Sequence, residues 1–151
     1  MENGRFTEGA QKALQFAKEK AEKLGQNYVG TEHVLYGIVK ADEGICKQVF
    51  TNHGVTEEAI GTMVEGLVTE GGSSFTQSFD YTPRTKRVLQ VSVALARSLG
   101  HSYVGCEHLL LAILREGDSI AARMLHELGV SLQQLATDVI SAVAPKGQGG
   151  G

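Results

Sequence analysis

Tyr28-Val29-Gly30-Thr31-Glu32-His33 returns as Tyr103-Val104-Gly105-Cys106-Glu107-His108, and this offset of 75 residues holds without a gap from the pair Phe6/Tyr81 to the pair Val64/Val139. The chain is one unit written twice. A surface feature of one copy is expected in the other, so a binding site should come as a pair.

Working outward from that stretch, Ala10, Leu14, Ala17, Ala21 and Leu24 recur at spacings of three and four, the face of a helix that Gly25 stops. Val88, Val91, Leu95 and Leu99 repeat the pattern before Gly100. Thr82-Pro83 is a hydroxyl cap followed by proline at the first helical position, and Thr7 is the matching cap in the first copy. A short second helix follows Gly30 and Gly105, carrying Val34, Leu35, Ile38 and Val39 or Leu109, Leu110, Ile113 and Leu114. These runs are apolar on most faces and should be central. Third helices are expected around Glu43 to His53 and Asp118 to Leu128, ending at Gly54 and Gly129. Fourth helices open at Thr56 and Ser131, the latter with Gln134 in a capping-box position. Strand-like alternation is absent. The reading is all-α: two tandem four-helix repeats with pseudo-twofold symmetry, eight helices within a single domain over 1–144. Repeat one covers about 6–69, a Gly/Ser/Thr connector about 70–80 and repeat two about 81–144. The tail 145–151 reads as a flexible linker stub.

The 151 residues, 42% hydrophobic, suffice for one well-buried core, whereas each repeat alone would be small. Fourteen Lys and Arg against 17 Asp and Glu give a net charge of −3 with no basic stripe, so nucleic acid is not an expected partner. No stretch approaches membrane-spanning length and no secretory signal opens the chain, which points to the cytoplasm. Cys46 and Cys106 occupy non-equivalent repeat positions and are expected to remain thiols. No Gly-Lys pair exists from which to build a P-loop, and the zinc-protease helix, the Cys-x-x-Cys pair and the Gly-x-Ser-x-Gly elbow are missing too. No catalytic residue, metal site or cofactor is expected.

His33 and His108 adjoin Glu32 and Glu107, but neighbours on a helix point about a third of a turn apart and do not converge on one metal. Capping or packing is the better role, and the same divergence disfavours a hydrolase built on the Glu-His pairs. His53, His101 and His126 have no repeat equivalents. With Thr31 or Cys106 as the cap, Glu32 and Glu107 fall in the first turn, where unpaired N–H groups favour carboxylates. That placement alone needs no ligand. A helix start also attracts anions, although the glutamate would repel a pure anion. A ligand of both charges avoids the conflict: a guanidinium pairing with the carboxylate and a phosphoryl group taking N–H and hydroxyl donors. Thr7 and Thr82 would add hydroxyls if the first and second helices start side by side, and the two carboxylates should then lie at twin openings.

Gly4-Arg5-Phe6-Thr7-Glu8, Gly30-Thr31-Glu32-His33, Tyr81-Thr82-Pro83-Arg84, Leu99 to Gly105 (LGHSYVG) and Leu114-Arg115-Glu116-Gly117 together resemble the Clp N-terminal domain, close to its ClpC branch. The resemblance covers Gly4 to about Ala144. It implies a domain that receives substrates and adaptors, MecA-type adaptors among them, for an AAA+ unfoldase that feeds the ClpP protease. The ATPase rings lie outside this sequence, so ClpP is reached only through them; a stand-alone Clp-associated subunit is the alternative. The resemblance further implies phosphoarginine pockets centred on Glu32 and Glu107, with Thr7, Thr31, Thr82 and Cys106 contributing. Cys106 stands where the family usually has threonine, a weaker cap and donor, and Gly9 where ClpC relatives usually carry arginine. Unequal occupancy, with the Cys106 pocket the poorer, is expected. Gln11, Lys12, Lys86 and Arg87 on the first helices are the expected adaptor-facing positions.

Overall fold

The computed structural model describes residues 5–41, 44–67 and 80–143. Nearly all of the expected connector and the whole tail from 145 lie outside the described residues.

The first copy contributes α1 (Glu8–Lys23), α2 (Thr31–Ala41), α3 (Gly44–Asn52) and α4 (Glu57–Gly66), and the second α5 (Pro83–Ser98), α6 (Cys106–Arg115), α7 (Ile120–Glu127) and α8 (Leu132–Val143). The caps lie where the sequence puts them. Thr7 Oγ1 accepts the Ala10 N–H at 3.0 Å, Thr82 Oγ1 the Thr85 N–H at 3.1 Å, and Thr56 Oγ1 the Ala59 N–H at 3.1 Å. At the far ends of α1 and α5, Gly25 (φ 74°) and Gly100 (φ 80°) take the left-handed conformation. The next residues, Gln26 and His101, donate their N–H groups back to Ala21 and Ala96 at 2.9 Å, which closes each helix.

α2 and α6 occupy the centre, because they are apolar nearly all round: Thr31 through Val39 are all buried, as are Cys106 and His108 through Ile113. α1 packs on α2 and α5 on α6, and the repeats meet through α2 against α7 and α3 against α6. The α1–α2 approach is very close. A Cβ on Gly37 would overlap the Ala13 carbonyl, whereas the matching position in the second copy holds Ala112.

Three local features differ from the sequence reading. Two-residue strands β1 (Tyr28–Val29) and β2 (Asp80–Tyr81) pair in parallel, with a further bridge between Phe6 and Val104. They are too short to show alternation. Gln134 does not complete a capping box: its backbone N–H reaches Ser131 Oγ at 3.1 Å, but its side chain turns forward to Asp138 Oδ1 at 3.0 Å. Thr31 and Cys106 are not caps but the first residues of α2 and α6.

The pairing has one further consequence. Thr82 N–H donates to Val29 O, and Thr7 N–H to Val104 O, both at 3.0 Å. Each repeat therefore starts its first helix against the second-helix entry of the other copy. The pseudo-twofold exchanges the halves, and neither copy builds this junction alone.

Candidate functional site

At the start of α2 the cap is supplied by a histidine. The Gly30 N–H donates to His33 Nδ1 at 2.8 Å, and in the second copy the Gly105 N–H donates to His108 Nδ1 at 2.9 Å. Since Nδ1 is the acceptor, the proton sits on Nε2, which faces Gln26 Oε1 at 2.7 Å in one half and His101 Nδ1 at 2.8 Å in the other. Both rings are fully buried. Burial holds both neutral, lowering His33 and His108 from 6.5 to about 4, helped by Lys20 near His33 and by His101 beside His108. The capping role expected of these histidines is the one they perform.

With the histidine used as the cap, the preceding glutamate turns back over the glycine. A Cβ on Gly30 or Gly105 would collide with the carboxylate of Glu32 or Glu107 respectively, so glycine is what lets each acid lie there. The two halves then diverge. Glu107 is partly exposed, but Glu32 is only 3% exposed and is not at an open mouth as expected. Its Oε1 is buried and has no hydrogen-bond partner among the described residues. Burial raises the Glu32 pKa, and its own backbone N–H opposes that rise. An unpaired buried carboxylate oxygen is costly.

Glu32 lines a cavity of about 400 Å³ together with Tyr28, Thr31, Thr82, Arg84 and Asp118. The sequence-named residues thus converge, but across copies. Glu32 shares its cavity with Thr82 rather than Thr7, while Thr7 sits at the Val104 strand that leads into Cys106 and Glu107. Thr31 lines the same cavity, and its hydroxyl accepts the Ala121 N–H at 3.2 Å, which helps hold the start of α7. Cys106 is buried at the first position of α6. The Thr82 hydroxyl is also within 2.8 Å of Thr85 Oγ1.

Arg84 is a cavity-lining side chain that the repeat offset does not reveal, because its counterpart is Gly9 and an offset search discards residues without a partner. Its Nη1 contacts Glu116 Oε1 at 2.9 Å and Asp118 Oδ1 at 2.6 Å, which parks a guanidinium at the cavity wall. The cavity lining therefore includes the Glu32 carboxylate, the Thr82 hydroxyl and the Arg84 guanidinium, the last paired with the Asp118 carboxylate that lines the cavity too. Of the expected adaptor-facing positions, Gln11, Lys12, Lys86 and Arg87 are all exposed. Among the described residues no group of acidic, histidine and cysteine side chains could hold a metal, and no helix is long and apolar enough to cross a membrane.

The Clp repeat (R) N-terminal domain matches residues 5–146. The negative regulator of genetic competence ClpC/MecB of Bacillus subtilis is 48% identical over 137 residues, covering 91% of this chain and 17% of that protein. Chloroplastic ClpC1 of Arabidopsis thaliana is 42% identical over 139 residues, covering 92% and 15%. The chain thus spans about a sixth of the length of these relatives. The crystal structure of the N-terminal domain of the ClpD chaperone from Arabidopsis thaliana superposes with a TM-score of 0.79 at 28% identity, covering 93% of this chain and 96% of that one. The matching eight-helix fold, the repeat and the relatives place this chain in the Clp N-terminal domain family, on the side of the ClpC-type chaperones.

Proposed function

We propose that the chain is a non-catalytic recognition domain that captures proteins carrying phosphoarginine, and their adaptors, for a ClpC-type unfoldase acting with ClpP in the cytoplasm. The observation that carries this reading is the Glu32 cavity: its lining includes Thr82, Arg84 and a glutamate whose buried Oε1 has no donor among the described residues. A guanidinium entering there supplies the missing donors in forked geometry. The phosphoryl group it carries meets the Thr82 hydroxyl and Arg84, whose exchange from Glu116 and Asp118 to phosphate keeps it paired throughout. The Glu107 junction offers Thr7 and a more accessible carboxylate but has Gly9 in place of Arg84, and is the weaker partner. Fluorescence anisotropy with one peptide bearing arginine, phosphoarginine or phosphoserine tests this. Binding confined to the phosphoarginine peptide supports the reading; equal binding of all three removes it.

A second reading, a docking platform for MecA-type adaptors, is favoured by the exposed side chains of Gln11 and Lys12 on α1 and of Lys86 and Arg87 on α5. Adaptor capture that survives Glu32→Ala with Glu107→Ala, and fails when these four are replaced by alanine, is its signature.

A further inference from the structure

The exchange symmetry brings together two residues that look unrelated along the chain. Residue 31 touches residue 121 through Thr31 Oγ1 and the Ala121 N–H at 3.2 Å. The same symmetry carries residue 31 onto Cys106 and residue 121 onto Cys46. The junctions at Val29/Thr82 and Val104/Thr7 are both 3.0 Å, so the backbone contact at the helix entries is the same in the two halves. α3, which carries Cys46, packs against α6, which begins at Cys106, as α7 packs against α2. Standard bond lengths turn the Thr31–Ala121 contact into a Cα separation of at most about 7 Å, the upper edge of what a disulfide spans. Both sulfurs are buried, Cys46 at 1% exposure and Cys106 at 6%. Burial pushes the Cys46 thiol up, with Cys106 and Glu107 adding to the rise.

We infer that Cys46 and Cys106 form a reversible disulfide that links α3 of one repeat to the entry of α6 in the other. Cys106 is the residue oxidised first, being the more exposed of the two. With hydrogen peroxide as oxidant, the Cys106 thiolate attacks one peroxide oxygen, the O–O bond breaks, and sulfenic acid and hydroxide result. The Cys46 sulfur then attacks the Cys106 sulfur, its S–H proton leaves with the sulfenic hydroxyl as water, and the S–S bond forms. Two thiols are oxidised, one peroxide is reduced, and two waters are released. A thiol reductant reverses the bond.

The test is intact-mass and non-reducing peptide mapping of the folded chain after peroxide treatment at dilute concentration. The expected product is a monomer lighter by two hydrogens, with a peptide joining Cys46 to Cys106, restored by dithiothreitol. In Cys46→Ala the bond is impossible, and Cys106 should instead gain oxygen atoms. Chains linked to one another, oxygen addition at either cysteine of the unsubstituted chain without the internal bond, or two unmodified thiols at peroxide levels that oxidise a small free thiol would each overturn the inference.

Discussion

Glu32 and Thr82 line one cavity although they belong to different repeats and fifty residues separate them. The pairing follows from the parallel β1–β2 contact, which seats the start of α5 against the entry of α2. Thr82 has two duties there, capping α5 and facing the cavity. Thr82→Ala should lower stability by about 1 kcal/mol and weaken ligand binding, whereas Thr82→Asn keeps the cap and isolates the binding loss. Thr7→Ala should cost a similar stability but leave the Glu32 cavity unaffected. Urea denaturation and ligand titration of the three variants check the crossing; a Thr7 change that selectively empties the Glu32 site contradicts it.

Gly37 should resist any side chain. A methyl group there meets the Ala13 carbonyl of α1, and relief requires the two helices to part. Gly37→Ala is expected to destabilise the domain by roughly 1–3 kcal/mol, despite alanine's better helix propensity. The matched change Ala112→Gly should cost about 1 kcal/mol of helix propensity and about 1 kcal/mol for the lost buried methyl. Thermal melts of both variants measure the contrast.

The buried capping histidines set a pH dependence with a definite sign. Their folded pKa values, about 4, lie below the unfolded 6.5, so between these limits the unfolded chain binds protons that the folded chain refuses. Their contribution is complete above about pH 6.5 and is lost as the pH falls toward 4, each ring being worth on the order of 3 kcal/mol. Glu32 acts in the opposite direction, since its raised pKa makes stability decline as the pH climbs through its titration. From the two histidines, unfolding free energy should drop from pH 7 to pH 5. His33→Gln should flatten that slope by about half, measured by urea titration at each pH.

Much of the fold is legible before any coordinates are seen, and the reason is physical. Helix faces, the Thr7, Thr56 and Thr82 caps and the glycine stops are all encoded within a few residues of one another, the range over which periodicity and capping operate. The site is legible only in its ingredients. A repeat offset identifies Glu32 and Glu107 as counterparts but is silent on which copy's threonine each one faces. That depends on strands two residues long. Nor does first-turn placement reveal whether a carboxylate points out or folds over its glycine; the choice is made by His33 taking the Gly30 N–H. Arg84 stood outside the pattern because the second copy alone carries it.

The gap between the halves rests on particular atoms rather than on Cys106 alone. Glu32 has a buried oxygen with no donor among the described residues and shares a cavity with Arg84, while Glu107 is partly exposed and the residue matching Arg84 is Gly9. Arg84→Ala should therefore weaken phosphoarginine binding severalfold while barely changing binding of free arginine. Competition titration with the two ligands reports this; an equal loss for both would assign Arg84 to packing instead.

Isothermal calorimetry with phosphoarginine on the unsubstituted chain, Glu32→Ala and Glu107→Ala tests the central claim most directly. The account predicts two unequal sites, with Glu32→Ala removing the tighter and Glu107→Ala the weaker. Binding by Glu32→Ala that matches the unsubstituted chain in both affinity and number of sites would contradict it.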